Sequence, residues 1–361
     1  MQTHFSPQQL QDPYLHEAEK ILRACVHCGF CLATCPTYIE LGDELDSPRG
    51  RIYLIKDMLE HGKAASDQVV EHVDRCLSCL GCMTTCPSGV NYMHLVDYAR
   101  VRIEESHSRA LGDRLLRRIL ALVLPHPDRF RNVLALARLA RPFKALMPAR
   151  LKAMLDMAPH SAPVPTPENR PQRFAAQGNR VMRVALLQGC VQTVLSPEIN
   201  AATVRFLTRH GVEVVAPKEA GCCGALVHHL GRKDDMLESI RANVAAWSRL
   251  MDEDRLDAIV INAAGCVTMV KDYGFLLRGD PTYADRARRV SELACDVAEL
   301  IREIQPKFVV KSGGAPRRLT VAYHSACSLQ HGQRVHDLGK DLLTLAGFET
   351  RDIPEGHLCC G

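Results

Sequence analysis

Apolar residues recur every three or four positions through the first hundred residues. Leu15, Ala18, Ile21 and Leu22 predict a helix over residues 13–24. Ser47-Pro48 supplies a capping serine and a first-turn proline. Ile52, Ile55, Met58 and Leu59 then form an apolar stripe, and Gly62 stops the helix. Ser66-Asp67 opens a shorter helix with Val69, Val70 and Val73, and Tyr92, Leu95, Val96, Ala99 and Ile103 mark one more. From residue 109 to 158 aliphatic residues alternate with arginine at helical spacing, cut into short pieces by Pro125, Pro127, Pro142 and Pro148. Residues 159–180, with Pro159, Pro163, Pro165, Pro167, Pro171 and Gly178, read as a linker.

Beyond the linker the period changes. Residues 181–187 are apolar apart from Arg183, which predicts a buried strand ending at Gly189-Cys190. A helix follows from Ser196-Pro197 through Ala201, Val204 and Leu207 to Gly211. Val212, Val214 and Val215 make a second strand, and Gly221-Cys222-Cys223-Gly224 comes next. A helix over 236–250 and a strand over 258–261 lead to Gly265-Cys266. The order then repeats. A strand over 319–323 runs towards Cys327, a helix with Leu342, Leu343 and Leu345 stops at Gly347, and Cys359-Cys360-Gly361 follows. Cys190 to Cys222 and Cys327 to Cys359 are both 32 residues apart, which argues for duplication. Strands alternating with helices predict a parallel, Rossmann-like sheet. By the repeat, the second copy should extend about 40 residues past Cys360, so the chain reads as a C-terminally truncated form.

The chemistry lies in cysteines. Cys25, Cys28, Cys31 and Cys35-Pro36 form one run, and Cys76, Cys79, Cys82 and Cys86-Pro87 form another. Both read C-x2-C-x2-C-x3-C-P, the spacing of a bacterial two-cluster ferredoxin, in which the fourth cysteine ligates the other cluster. That assigns Cys25, Cys28, Cys31 and Cys86 to one [4Fe-4S] cluster and Cys35, Cys76, Cys79 and Cys82 to the second. Zinc would need only four thiolates, and sixteen cysteines in 361 residues do not resemble a secreted disulfide scaffold. Their use implies a reducing compartment. His27, inside the first run, reads as a partly exposed loop histidine.

The later cysteines are less determined. Cys190, Cys222, Cys223, Cys266, Cys327, Cys359 and Cys360 could converge at strand ends and hold a further iron–sulfur centre or a redox disulfide. Cys295, between Leu293 and Val297 on an expected helix, reads as a buried small residue. His324 and His331 flank Cys327 as supporting or ordinary core histidines.

Composition adds limits. The length allows two domains, and 47% hydrophobic with 24% charged residues is globular. No basic-then-apolar leader opens the chain, and no stretch reaches the 18 or so apolar residues of a membrane span. Net charge is +4, yet residues 109–158 hold eleven Lys/Arg against three Asp. Such a basic amphipathic segment either docks, on an anionic membrane surface or a partner, or is a solvated face. Nucleic acid is not expected, since the stripe has little aromatic character for stacking. There is no G-x-G-x-x-G after a strand and no convincing acid–base pair, so no catalytic residue is assigned.

The chain resembles the iron–sulfur subunits of bacterial glycolate oxidase (glycolate dehydrogenase). The resemblance rests on Ile21-Leu22-Arg23-Ala24-Cys25-Val26-His27-Cys28, on Gly42-Asp43-Glu44-Leu45-Asp46-Ser47-Pro48-Arg49-Gly50-Arg51, on Glu219-Ala220-Gly221-Cys222-Cys223-Gly224 and on His357-Leu358-Cys359-Cys360-Gly361. It implies an α+β multidomain chain. An α-helical two-cluster ferredoxin domain (10–105), a basic helical bridge (106–158) and a linker (159–180) would precede two cysteine-rich CCG domains like those of heterodisulfide reductases (181–310 and an incomplete 311–361). It also implies FAD-binding partner subunits that oxidise glycolate to glyoxylate, with this chain passing electrons towards membrane quinone. The expected place is the cytoplasm, free or peripheral on the inner membrane. Related chains serve lactate or anaerobic glycerol-3-phosphate oxidation, and a thiol–disulfide reductase using the CCG cysteines is the catalytic rival. One departure stands out: the first copy ends Asn262-Ala263-Ala264-Gly265-Cys266, with a single cysteine where heterodisulfide reductases carry C-x2-C.

Overall fold

The computed structural model describes residues 1–305 and 319–360. In chain order the first helices are α1 (Pro13–Ala24), α2 (Pro36–Leu41), α3 (Pro48–His61), α4 (Asp67–Asp74), α5 (Gly81–Thr85) and α6 (Tyr92–Ser106). They are followed by α7 (Leu111–Val123), α8 (Pro127–Ala140) and α9 (Ala149–Met157). Next come β1 (Gln172–Phe174), β2 (Met182–Leu187), α10 (Gln192–Leu195), α11 (Pro197–Arg209), β3 (Val212–Ala216), α12 (Ala225–His229), α13 (Lys233–Glu253) and β4 (Ala258–Ile261). The chain continues through α14 (Ala264–Lys271), α15 (Tyr273–Leu276), α16 (Ala284–Leu293), β5 (Ala294–Asp296) and α17 (Val297–Ile304). It closes with β6 (Thr320–Tyr323), α18 (Leu338–Leu345) and β7 (Glu349–Asp352).

Two compact units emerge, each discontinuous in sequence. One comprises Met1–Arg109, Val227–Lys233 and Lys307–Gly361; the other comprises Ala110–Leu226 and Asp234–Pro306.

In the first unit the helix signals act as read. The Ser47 hydroxyl accepts from the Gly50 amide at 2.9 Å, Pro48 starts α3, and Gly62 ends it at φ +59. Ser66 likewise caps α4 through the Val69 amide. The stripes of α1, α3, α4 and α6 meet in one core, where Leu22, Ile55, Val73, Leu95, Val96, Ala99 and Ile103 are fully buried. Each such aliphatic side chain larger than alanine contributes about 1.5–3 kcal/mol. Gly50 is required for space: a Cβ there would strike the Glu44 carbonyl of the turn that α3 packs on. β6 and β7 pair in parallel, from Thr320↔Glu349 to Tyr323↔Asp352.

In the second unit five strands lie in the order β1-β3-β2-β4-β5. β3, β2, β4 and β5 are parallel, and β1 adds an antiparallel edge on β3. This edge strand lies within the stretch expected to be linker. Arg173 pairs with Val215 there, and backbone pairing holds a segment with no apolar run of its own. Val184, Leu186, Val204, Leu207, Val214 and Val260 form the core. Cys295 stands on strand β5 opposite Val260, not on a helix. Three residues ordered by the edge of a buried sheet override the helical spacing of Leu293 and Val297. Cys295 is half-buried there, and desolvation pushes its thiol up to about 12.

Candidate functional site

Proline fixes the local geometry of both cysteine runs. Cys35 and Cys86 adopt extended backbone before Pro36 and Pro87, as the residue before a proline must. Between the thiols the chain turns sharply: His27, Ser78 and Leu80 all have positive φ, as does Gly29. The turns bring the two runs together. One cavity is lined by Cys25, Cys28, Cys31, Cys82 and Cys86. A second is lined by Cys35, Cys76, Cys79 and Cys82. Each cavity therefore takes the fourth cysteine of the opposite run.

Burial pushes the Cys31 thiol up to about 11 and the Cys79 thiol up to about 12, with neighbouring thiols adding to both. Cys82, buried between the two cavities, is raised well above the ordinary range for the same reasons. Crowded, desolvated thiols ionise only beside compensating positive charge, which an iron–sulfur core supplies. His27 Nε2 is buried against the first cavity with no hydrogen-bond partner among the described residues, an orphaned polar atom where a bound group would sit. The residues fit two four-thiolate clusters.

Around the second cavity lies a buried polar network that the sequence reading did not single out. Arg51 is 1% exposed. Its Nη1 lies 3.8 Å from Cys35 Sγ, its Nε donates to the His72 carbonyl at 2.6 Å, and its Nη2 donates to Thr37 Oγ1 at 2.9 Å and Asp46 Oδ1 at 3.2 Å. Asp46 is fully buried and also accepts from His72 Nδ1 at 3.0 Å and Arg75 Nη1 at 2.9 Å. Burial opposes its ionisation, but these donors outweigh it and hold the carboxyl below its usual range. Asp43, Asp46 and His72 present a cluster of possible metal ligands, yet Asp46 is already occupied by two guanidinium groups. The Tyr92 hydroxyl donates to Cys76 Sγ at 3.8 Å.

A second charge network supports the Cys76 loop. Arg100 donates to the Cys76 carbonyl and to Ser78 Oγ, both at 2.7 Å. Asp97 lies 3.4 Å from Arg100, 3.2 Å from His228 Nε2 and 3.4 Å from His229 Nδ1.

The later cysteines fall into two groups. Cys190, Cys222 and Cys266 follow the C-terminal ends of parallel strands β2, β3 and β4, with Cys223 beside Cys222. Cys190 Sγ and Cys222 Sγ are 3.4 Å apart, and Cys223 Sγ and Cys266 Sγ are 3.2 Å apart. Two fully buried residues clamp the vicinal pair: Asn243 Nδ2 donates to the Cys222 carbonyl at 2.9 Å, and Tyr273 Oη donates to the Cys223 carbonyl at 2.8 Å. Asn243 Oδ1 accepts from the Gly221 amide as well.

Cys327, Cys359 and Cys360 follow β6 and β7 in the other unit, where burial first and then Cys359 push Cys327 up to about 11. His331 is buried, with Nε2 2.9 Å from the His357 carbonyl and Nδ1 2.7 Å from Thr84 Oγ1. It thereby joins this segment to the helix between Cys82 and Cys86. His324 is half-buried.

Comparison with known proteins agrees with this geometry. The family described as "4Fe-4S dicluster domain" matches residues 21–90. The family described as "Cysteine-rich domain" matches residues 184–271 and 321–361. The whole chain is 45% identical to the "Glycolate oxidase iron-sulfur subunit" of Escherichia coli, covering 84% of that protein. It is 30% identical over its full length to the "Probable glycolate oxidase iron-sulfur subunit" of Bacillus subtilis, covering 83% of it. Half of the chain is 28% identical to "Lactate utilization protein A" of Geobacillus kaustophilus. No solved structure matches the chain.

Proposed function

This chain belongs to the family of bacterial glycolate oxidase iron–sulfur subunits, and from that premise we propose that it relays single electrons from FAD-bearing partner subunits, where glycolate becomes glyoxylate, to a membrane quinone. The observation that carries the reading is the pair of crossed four-cysteine cavities. Cys25, Cys28, Cys31 and Cys86 would hold one [4Fe-4S] cluster, and Cys35, Cys76, Cys79 and Cys82 the other. When bound, these clusters supply one-electron transfer without proton or group chemistry.

The chain's own residues do the rest. The prolines after Cys35 and Cys86 fix the crossing. Arg51, paired with Asp46, offsets thiolate charge at Cys35, and Tyr92 does so at Cys76. Arg100 holds the Cys76 loop. Cys82, lining both cavities, places the two sites close together, as short-range electron transfer needs.

In this reading the β2–α11–β3 and β6–α18–β7 segments are copies of one Rossmann-like unit, each with cysteines after its parallel strands. No helix among the described residues is long and apolar enough to cross a membrane. We infer peripheral contact with the bilayer, on the cytoplasmic side, as the route to a quinone acceptor. The sulfur contacts at Cys190–Cys222 and Cys223–Cys266 favour a second role, a further redox centre or dithiol fed by the relay.

The test is the crossing itself. Anaerobically reconstituted chain should hold about eight iron atoms. Cys86→Ser should remove the same EPR signal as Cys28→Ser, and Cys35→Ser the same signal as Cys79→Ser. Loss of one signal by both Cys28→Ser and Cys35→Ser would rule out the assignment.

A further inference from the structure

The relay described above leaves one surface unused. Half of the large apolar side chains exposed among the described residues lie within residues 111–157. On α7, Leu111, Leu115, Ile119 and Leu122 recur at i, i+4, i+8 and i+11 and share one face. On α8, Val133, Leu136 and Leu139 do the same, and on α9 Leu151, Met154 and Met157 follow. Phe143 and Leu146 project from the turn between α8 and α9. Leu146 and Met157 are 85% and 87% exposed, so these stripes are not the edge of a buried core.

Charge accompanies the stripes. Residues 110–158 hold ten Lys/Arg against three Asp. Several of these are committed: Lys144 to Asp156, Arg150 to Asp113, Arg131 to the Thr193 carbonyl and Arg141 to the Ala158 carbonyl. Arg114, Arg118, Arg138 and Lys152 are exposed and have no ion-pair partner among the described residues. Arg114 and Arg118 stand three residues after Leu111 and Leu115, on the flank of the α7 stripe.

We propose that α7, α8 and α9 form an interfacial surface that lies on an anionic phospholipid bilayer, the aliphatic stripes entering the headgroup–acyl boundary and the flanking cations meeting lipid phosphates. Four short segments present single aliphatic and thioether side chains edged by unpaired cations. That is the pattern an interfacial helix uses, with attraction to anionic lipid added to apolar burial. Arginine matches phosphate with a two-pronged hydrogen bond, which favours phosphate-bearing lipid over an uncharged surface. The proposal gives the membrane-quinone reading its point of contact and rests on that reading for its purpose, though not for its geometry.

Co-sedimentation of the full chain with vesicles tests it. Vesicles of phosphatidylcholine containing phosphatidylglycerol should carry the chain down, and phosphatidylcholine alone should carry little. Raising the salt should release it, because surface charge attraction is screened within about 10 Å at 0.1 M. Leu115→Glu with Ile119→Glu should abolish vesicle binding, and Arg114→Glu with Arg118→Glu should weaken it on the order of tenfold or more. Both variants should keep the circular dichroism and visible spectrum of the parent chain. Leu115→Met should bind like the parent, which separates lost insertion from lost folding.

The proposal is overturned if the parent chain stays in the supernatant with both vesicles, or if the glutamate variants sediment normally. It is also overturned if those variants instead lose a flavoprotein partner, since the face would then be a protein interface. Failure of the electron-relay reading would appear as absent or uncrossed clusters and would leave vesicle binding unchanged.

Discussion

Replacing Arg51 with methionine separates two jobs of one buried side chain. The substitution keeps an unbranched, apolar stem of comparable reach and removes the guanidinium. Asp46, fully buried, then keeps His72 and Arg75 but loses one cationic donor. Breaking a buried pair from one side costs about 3–5 kcal/mol, and the remaining Arg75 places this case at the lower end. That is a sizeable share of the 5–15 kcal/mol or so that holds a typical domain together.

The electrical effect is separate. Arg51 Nη1 lies 3.8 Å from Cys35 Sγ, at the near edge of the second cavity. For charge centred about twice as far away, at an effective dielectric of about 20, the interaction is about 2 kcal/mol. For one electron that is on the order of 90 mV. Reduction adds negative charge, and Arg51 favours it. Its removal should therefore lower the midpoint potential of the cluster proposed at Cys35, Cys76, Cys79 and Cys82, and leave the other within a few tens of millivolts by this reasoning.

By contrast, Arg49, which lines the first cavity, is 30% exposed and paired with Glu44, so its field is already screened. A redox titration followed by EPR reads both signals in one sample. Equal shifts of both potentials, or no shift in a variant with full iron content, would refute the reasoning. Arg51→Lys should restore most of the potential and less of the stability, since a point charge replaces a fork.

Other expectations follow from the same contacts. Asn243→Ala removes the clamp on Gly221 and Cys222 and leaves the Tyr273 hydroxyl to hold the vicinal pair alone. A cost of about 1–3 kcal/mol should accompany faster labelling of Cys222 by a thiol reagent, measured against Cys295 as an internal control. Asp97 is buried, which opposes its charge, but His228 and His229 outweigh burial and hold its carboxyl well below the ordinary range. Its contribution to stability is therefore complete above the unfolded value near 3.9 and lost as pH falls through the lower folded value. Urea midpoints should drop more steeply for the parent than for Asp97→Asn below about pH 4. Gly50→Ala should destabilise the first unit by about 1–3 kcal/mol, since a Cβ there meets the backbone of Glu44 and Leu45 and not a flexible side chain; a thermal melt within error of the parent would count against that packing.

Much of this molecule was open to sequence reasoning because the deciding forces are local. Ser47-Pro48 and Gly62 bound α3 through capping and backbone preference alone. The spacing of the two cysteine runs, each closed by Cys-Pro, pointed to the two cavities that their thiols line. Tertiary forces hid the rest. Gln172–Phe174 has no strand pattern and pairs only because β3 offers an open edge. Cys295 sits at helical spacing from its neighbours but is drawn into the sheet beside Val260. Arg51 looks like any arginine in an exposed helical turn. Its burial depends on Asp46, Thr37 and His72, which meet it from three separate segments. Tyr92 had been readable only as a core residue, and its hydroxyl contact with Cys76 needs the folded chain. The strand-end cysteines were expected together, and the fold sorts them into a set of four and a set of three.

The central claim is that this chain carries electrons for chemistry performed elsewhere. The most direct measurement mixes Cys28→Ser or Cys79→Ser chain with its flavoprotein partner and glycolate, and follows flavin bleaching and quinone reduction in the same cuvette. The account predicts that the flavin is still reduced at the parent rate while quinone reduction stops in both variants. Normal quinone turnover in either variant, or loss of flavin reduction itself, would contradict it.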